Sequence, residues 1–305
     1  MYLPVAAIYL GLAAWAWRAA SGGLLASAAV AAAGGVPPLP GMGALPGAAS
    51  SGELPTSQRL LLLLAWLAHG TLLFGAMFGA AGLRFGFAFA LSAAMWLAVA
   101  IYWVESLYFS LASMRLLILP LAAVCAVLPA WFPGSVTPNP VDSLAFDLHL
   151  AVAISASGLL TIAALHACLM AALDRWLHGR DATGEDGRLS WLDRLRHAVL
   201  SQLPPLLTME RLLFRTIGAG FVLLTLTVLS GALFSEELFG RPLRLEHKTV
   251  FGLLSWAIFA AVLIGRTTRG WRGRVALRWT LAGFVSILLA YVGSRFVLEV
   301  ILHRV

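Results

Sequence analysis

Four histidines stand where an imidazole could do chemistry. His149 opens an apolar run just after an acidic stretch with Asp142 and Asp147, and His303 closes another, third from the end. His247 precedes a further run, and His69 lies in the middle of LLLLAWLAHGTLLFGAMFG. A neutral imidazole nitrogen is the commonest metal ligand, and an ionisable group inside a membrane is costly enough to be treated as functional. Each also has a plainer reading. His69 could be a neutral ring bonded to a neighbouring carbonyl, His149 an interfacial residue, and His303 a frayed end. Together, however, His149 and His303 put two imidazoles on rigid helix ends, which is what axial ligation of a haem iron from two sides requires. His247 could replace either, while Arg241 and Arg244, just before it, could pair with propionate carboxylates.

The other histidines do not join this set. His166 follows His149 by 17 residues, roughly 25 Å along a helix and on another face, so the two cannot share one metal. His178 and His197 fall in a charged segment and read as solvated. Cys125 and Cys168 make neither CxxC nor CxxCH, so there is no dithiol motif, zinc ribbon or covalent haem attachment site. HExxH, GxSxG, Walker and Rossmann patterns are absent too.

Composition decides what holds these residues. Of 305 residues, 60% are hydrophobic and 11% charged, with mean hydropathy +0.88, whereas soluble domains carry about a quarter charged residues. Several stretches run 17 to 26 residues without a charge, enough to cross a hydrocarbon layer of about 30 Å. The expected fold is therefore all-α: a polytopic transmembrane bundle of about eight spans forming one integral membrane domain. The spans are placed at 2–17, 60–80, 85–104, 112–132, 148–172, 212–234, 249–265 and 277–301. The first lacks a basic leader and reads as a retained helix, not a cleaved signal. Residues 19–58, rich in Ala, Gly, Pro and Ser, read as a low-complexity loop.

The net charge of +7 is not a nucleic-acid patch, because the basic residues are scattered in short segments between the apolar runs. Segments after odd-numbered spans hold 15 Arg, and the opposite set holds five Arg or Lys. The positive-inside rule then places both termini outside and makes 174–210 a cytoplasmic loop. Within that loop Leu192, Leu195, Val199 and Leu203 line one face behind a Ser190 start, the pattern of an amphipathic helix lying on the membrane surface.

Several segments carry a resemblance beyond composition. They are LRFGFAFALSAAMWLAVAIYWVES (83–106), DLHLAVAISASGLLTIAALHACLMAALDRWL (147–177), LPPLLTMERLLFRTIGAGFVLLTLTVLSGALF (203–234) and HKTVFGLLSWAIFAAVLIGRTTRGWRGRVALRWTLAGFVSILLAYVGSRFV (247–297). In order and spacing they resemble the cytochrome c assembly family of CcsA, ResC and CcmC-type haem handlers, and most of all its YpjD-like inner-membrane branch. The resemblance implies a haem-binding protein of the bacterial inner membrane that works with other cytochrome c maturation proteins or with apocytochrome c. In that family the His of an HxxxxxxxYA pattern is an outer-face haem ligand, and His149 matches it, with Ser157 in place of the Tyr. A second outer-face His follows a YFG-like motif, and His303 lies near that place after YVG (291–293). Larger members carry a Trp-rich outer segment ending in WDPKE. Here the stretch is SEELFGRPLRLEHKT (235–249), without Trp, and Gly265 stands where the family has an intramembrane His.

Two functions are thus expected from different classes. The first is a haem-binding assembly factor, not a catalyst, that holds haem b non-covalently through His149 and His303, with His69 a transient intramembrane site. The alternative is a permease or transporter-type subunit without haem, which eight spans and His69 would also serve. No internal repeat or Pro/Gly-broken helix pair supports the alternative.

Overall fold

The computed structural model describes residues 2–32, 55–79, 82–137, 144–179, 206–239 and 247–301. Their helices, in chain order, are α1 (Tyr2–Ala32), α2 (Thr56–Met77), α3 (Phe87–Glu105), α4 (Ala112–Trp131), α5 (Leu144–Gly179), α6 (Leu206–Phe239), α7 (His247–Arg269) and α8 (Gly273–Ile301). The seven helices α2 to α8 are long and apolar enough to cross a membrane. The protein is a polytopic all-α membrane protein, with α1 packed beside α4 and α2.

Two boundaries differ from expectation. Helix α1 runs on to Ala32, through residues assigned above to a loop, because the Ala- and Leu-rich stretch favours helix. The second span stops at Met77, where the chain turns into a small antiparallel sheet of β1 (Phe78–Gly79), β2 (Gly82–Phe85) and β3 (Ser135–Thr137). Short strands pair there because the backbone leaves the helical ladder and its N–H and C=O groups need other partners. The expected surface helix over 190–203 lies outside the described residues.

In a hydrocarbon solvent, helices associate through close packing and interhelical hydrogen bonds. A Cβ on Gly158 of α5 would stand 2.6 Å from Leu97 Cβ of α3, and one on Gly220 of α6 would stand 2.8 Å from a Leu160 methyl. Both glycines are therefore approach points. Between α2 and α3, Trp66 Nε1 donates to the Trp96 carbonyl at 3.0 Å and Trp96 Nε1 donates to the Trp66 carbonyl at 2.9 Å. The two indoles stack at 4.9 Å with planes 6° apart. Trp256 Nε1 of α7 donates to Thr225 Oγ1 of α6 at 2.9 Å, and Ser255 Oγ donates to the Gly283 carbonyl of α8 at 2.9 Å.

Helices α3, α5, α6, α7 and α8 close a ring in which each packs against the next. The sheet marks one end of it. Helix α8 widens into π-helical turns at Leu289–Gly293 and Val297–Ile301, a local loosening often found near functional sites. Its end is tied to the sheet: Arg295 donates to Ser135 Oγ at 3.4 Å, and the Phe85 and Tyr291 rings lie 5.3 Å apart. A Cβ on Gly86 would stand 2.9 Å from both Glu299 carboxylate oxygens and from Gly134 Cα, so three segments meet there. Gly134 itself has φ +65°, a conformation that favours glycine. Tyr2 is within electrostatic reach of Arg84 of β2, so the start of α1 and the end of α8 share the sheet end of the bundle.

Candidate functional site at the sheet end

His149 lies on the second turn of α5, half-buried, facing α6. Its Nδ1 is 2.7 Å from Ser230 Oγ. That hydroxyl also lies 3.2 Å from the Thr227 carbonyl, to which it can donate its one hydrogen. In that arrangement the serine oxygen accepts from Nδ1–H and the Nε2 lone pair is left available as a ligand. No described residue bonds Nε2. An outer hydrogen bond that fixes tautomer and ring orientation is the usual support of a metal-ligating histidine. Gly231, next to Ser230, lets the ring sit close: a Cβ there would be 3.4 Å from His149 Cε1.

The ends of two other ring helices accompany it. His247 is exposed as the first residue of α7. Ile301, the last described residue, ends α8 at this same face. His303, Arg241 and Arg244 lie outside the described residues. An aromatic groove of about 290 Å³ also opens at this end, lined by Phe74, Phe78, Trp96, Asp147 and Ile154 among others. It lies on the face of α5 toward α2 and α3, whereas His149 points to α6. The groove and the imidazole are therefore separate features. Among the described residues, no group of three or more His, Cys, Asp or Glu side chains could hold a metal ion.

His69 is built differently. It is buried, its Nε2 lies 2.9 Å from Ser92 Oγ, and its Nδ1 lies 3.4 Å from the Tyr9 hydroxyl. Both nitrogens are engaged by hydroxyls from α1 and α3. A ligand role for this ring requires breaking at least one of those bonds, so the bland reading has the stronger physical support.

A second polar cluster, which sequence reasoning missed, sits at the opposite end. His166 of α5 is fully buried, its Nδ1–H donates to the Ile162 carbonyl at 3.0 Å, and its Nε2 is 3.6 Å from Glu105 Oε2 at the end of α3. Thr216 of α6 donates to Glu105 Oε1 at 3.5 Å. Arg115 of α4 is buried, and it and Arg59 of α2 act electrostatically on Tyr102, as Glu105 does. An arginine inside an apolar run was the available signal; its partners come from other helices and leave no spacing in the chain.

With this geometry in hand, similarity to known proteins can be placed. The family described as cytochrome C assembly protein matches residues 54–302. The chain belongs to that family. A cytochrome c biogenesis protein CcsA of Gloeobacter violaceus is 38% identical over 92 residues, which is 30% of this chain and 27% of that protein. The inner membrane protein YpjD of Escherichia coli (strain K12) is 36% identical over 118 residues, 37% of this chain and 44% of that protein. A CcsA of Microcystis aeruginosa is 37% identical over 86 residues, 28% of this chain and 26% of its own length. The matched stretch is thus less than half the length of these curated relatives. No solved structure matches.

Proposed function

We propose that this chain is a haem-binding accessory factor of cytochrome c assembly, holding haem b non-covalently at the sheet end of the bundle. The observation that carries the reading is the anchoring of His149 Nδ1 by Ser230, which also reaches the Thr227 carbonyl, while Nε2 has no partner among the described residues. Membership in the cytochrome c assembly family supports it. The bound group would supply an iron centre and two propionates. His149 would hold that iron, and His303, two residues after Ile301 in the chain, would be its second protein ligand. His247 is the alternate ligand, and Arg241 and Arg244 pair with propionate oxygens.

The chain sits in a bacterial-type inner membrane, as the name of its YpjD relative suggests. Helix α1 is the eighth span, and both termini are periplasmic by the distribution of arginine. Its partners are other cytochrome c maturation proteins or apocytochrome c. The role is assembly, not catalysis, and accessory, because 235–249 holds Phe239 as its one aromatic residue. Such a surface offers little flat area against which a partner chain could reach the haem edge.

A visible absorption spectrum of the full chain, purified after haem-supplemented expression, tests the reading. A Soret band with sharp reduced α and β bands is expected. His149→Ala should abolish most of it, His303→Ala should weaken it or change the spin state, and added imidazole should restore part of the low-spin signal. A spectrum without haem, or one indifferent to both substitutions, overturns the site. The accessory role is tested separately, by deleting the gene in a strain with a complete cytochrome c maturation system. Haem staining of total membranes should then stay near normal, and a global loss of covalent haem would sink that role.

A further inference from the structure

At the end of the bundle opposite the sheet, the start of α6 and the end of α7 border an open cavity of about 520 Å³. Its polar lining is Thr208, Arg211 and Arg215 of α6 with Arg266 and Thr267 of α7, and its floor includes Phe109 and Phe214. Arg211 and Arg215 are one turn apart and so share a helix face. Both are exposed, and neither has a partner carboxylate among the described residues. The nearby carboxylate is already taken: Glu210 Oε1 accepts from Arg266 at 3.1 Å and lies 3.5 Å from Arg272 Nε. Arg266 is further fixed with its guanidinium 3.6 Å from the Phe214 ring centre. Thr267 donates to the Ile264 carbonyl at 3.0 Å, whereas the Thr208 hydroxyl has no partner among the described residues.

We propose that this cavity binds the phosphate of an anionic phospholipid headgroup. Three guanidiniums and a hydroxyl line this space, and among the described residues its one neighbouring carboxylate, Glu210, is already engaged. Guanidinium and hydroxyl groups are the donors that match phosphate oxygens. Basic pockets between transmembrane helices are the places where such headgroups lodge. A lipid, not free phosphate, is the occupant because the flanking surface is apolar: Leu207 on α6 is 64% exposed and Ile264 on α7 is 60% exposed, and both provide a path for acyl chains. A scattered set of interfacial arginines would need no cavity and no hydroxyl. The site is independent of the haem reading, because it lies at the other end of the molecule.

Native mass spectrometry of the full chain in detergent, titrated with palmitoyl-oleoyl phosphatidylglycerol or phosphatidylcholine, tests it. Phosphatidylglycerol should be retained and phosphatidylcholine should not. The exposed double variant Arg211→Gln/Arg215→Gln should weaken retention by roughly tenfold or more. The variant Arg18→Gln/Arg278→Gln, which removes the same charge elsewhere, should leave it within about twofold. Equal losses in the two variants would mean nonspecific attraction and overturn the proposal, as would equal retention of the two lipids. Inorganic phosphate at millimolar concentration should not displace the lipid; if it does, the site takes free phosphate and the lipid assignment fails.

Discussion

His166 Nε2 and Glu105 Oε2 face each other at 3.6 Å across the α3–α5 contact, at the end of the bundle away from His149. Because the Nδ1 proton of His166 is given to the Ile162 carbonyl, Nε2 turns toward the carboxyl group. Neither atom has a hydrogen-bond partner among the described residues, so a proton held between the two is the compensation open to them in an apolar surrounding. Removing one partner leaves a buried polar group alone, while removing both leaves none. Glu105→Leu and His166→Leu should each lower the thermal midpoint in detergent. The double variant should lose less than the two together, with a coupling of about 1 kcal/mol. Additive losses would show that the pair is only a neighbourhood.

Ser230 should matter for haem although it cannot touch iron. Ser230→Ala removes the hydroxyl that holds the His149 ring through Nδ1. Loss of such outer support typically costs about 10–100-fold in metal affinity. Ser230→Thr, which keeps the hydroxyl, should recover much of it. His69→Leu, in contrast, should reduce stability and leave the haem spectrum intact, since both its nitrogens serve hydroxyls. Haem titration of the purified variants by absorbance separates these outcomes; a Ser230→Ala protein with unchanged affinity contradicts the tautomer argument.

Gly158 should resist substitution where Gly218 does not. A Cβ at Gly158 meets Leu97 Cβ at 2.6 Å, and a Cβ at Gly218 meets nothing within 4 Å. Gly158→Val should therefore destabilise by about 1–3 kcal/mol through overpacking, with Gly218→Ala neutral. Melting of both variants in the same detergent checks this, and similar midpoints would remove the close α3–α5 approach.

Topology carries its own expectation. Reporter fusions at Gly187 and Gly270 should read cytoplasmic, and one at Gly134, beside the sheet, should read external. Reversal at any of the three would break the eight-span arrangement and move the haem site to the other face.

The membrane character and the all-α set of long apolar helices were legible in the sequence, for a physical reason. A hydrocarbon layer imposes length and apolarity on each span separately, so the chain must state them locally. The resemblance to cytochrome c assembly proteins was legible too, in motifs such as DLHLAVAIS. What tertiary structure decided was how each histidine is partnered. Packing gives His69 two hydroxyl partners, Tyr9 and Ser92, and gives His149, among the described residues, Ser230. The Glu105–His166 pair and the arginine-lined cavity likewise join residues from helices distant in the chain, 61 positions apart in the first case. Chain spacing cannot encode such meetings, because they depend on how each helix is rotated and which small residues let two backbones approach.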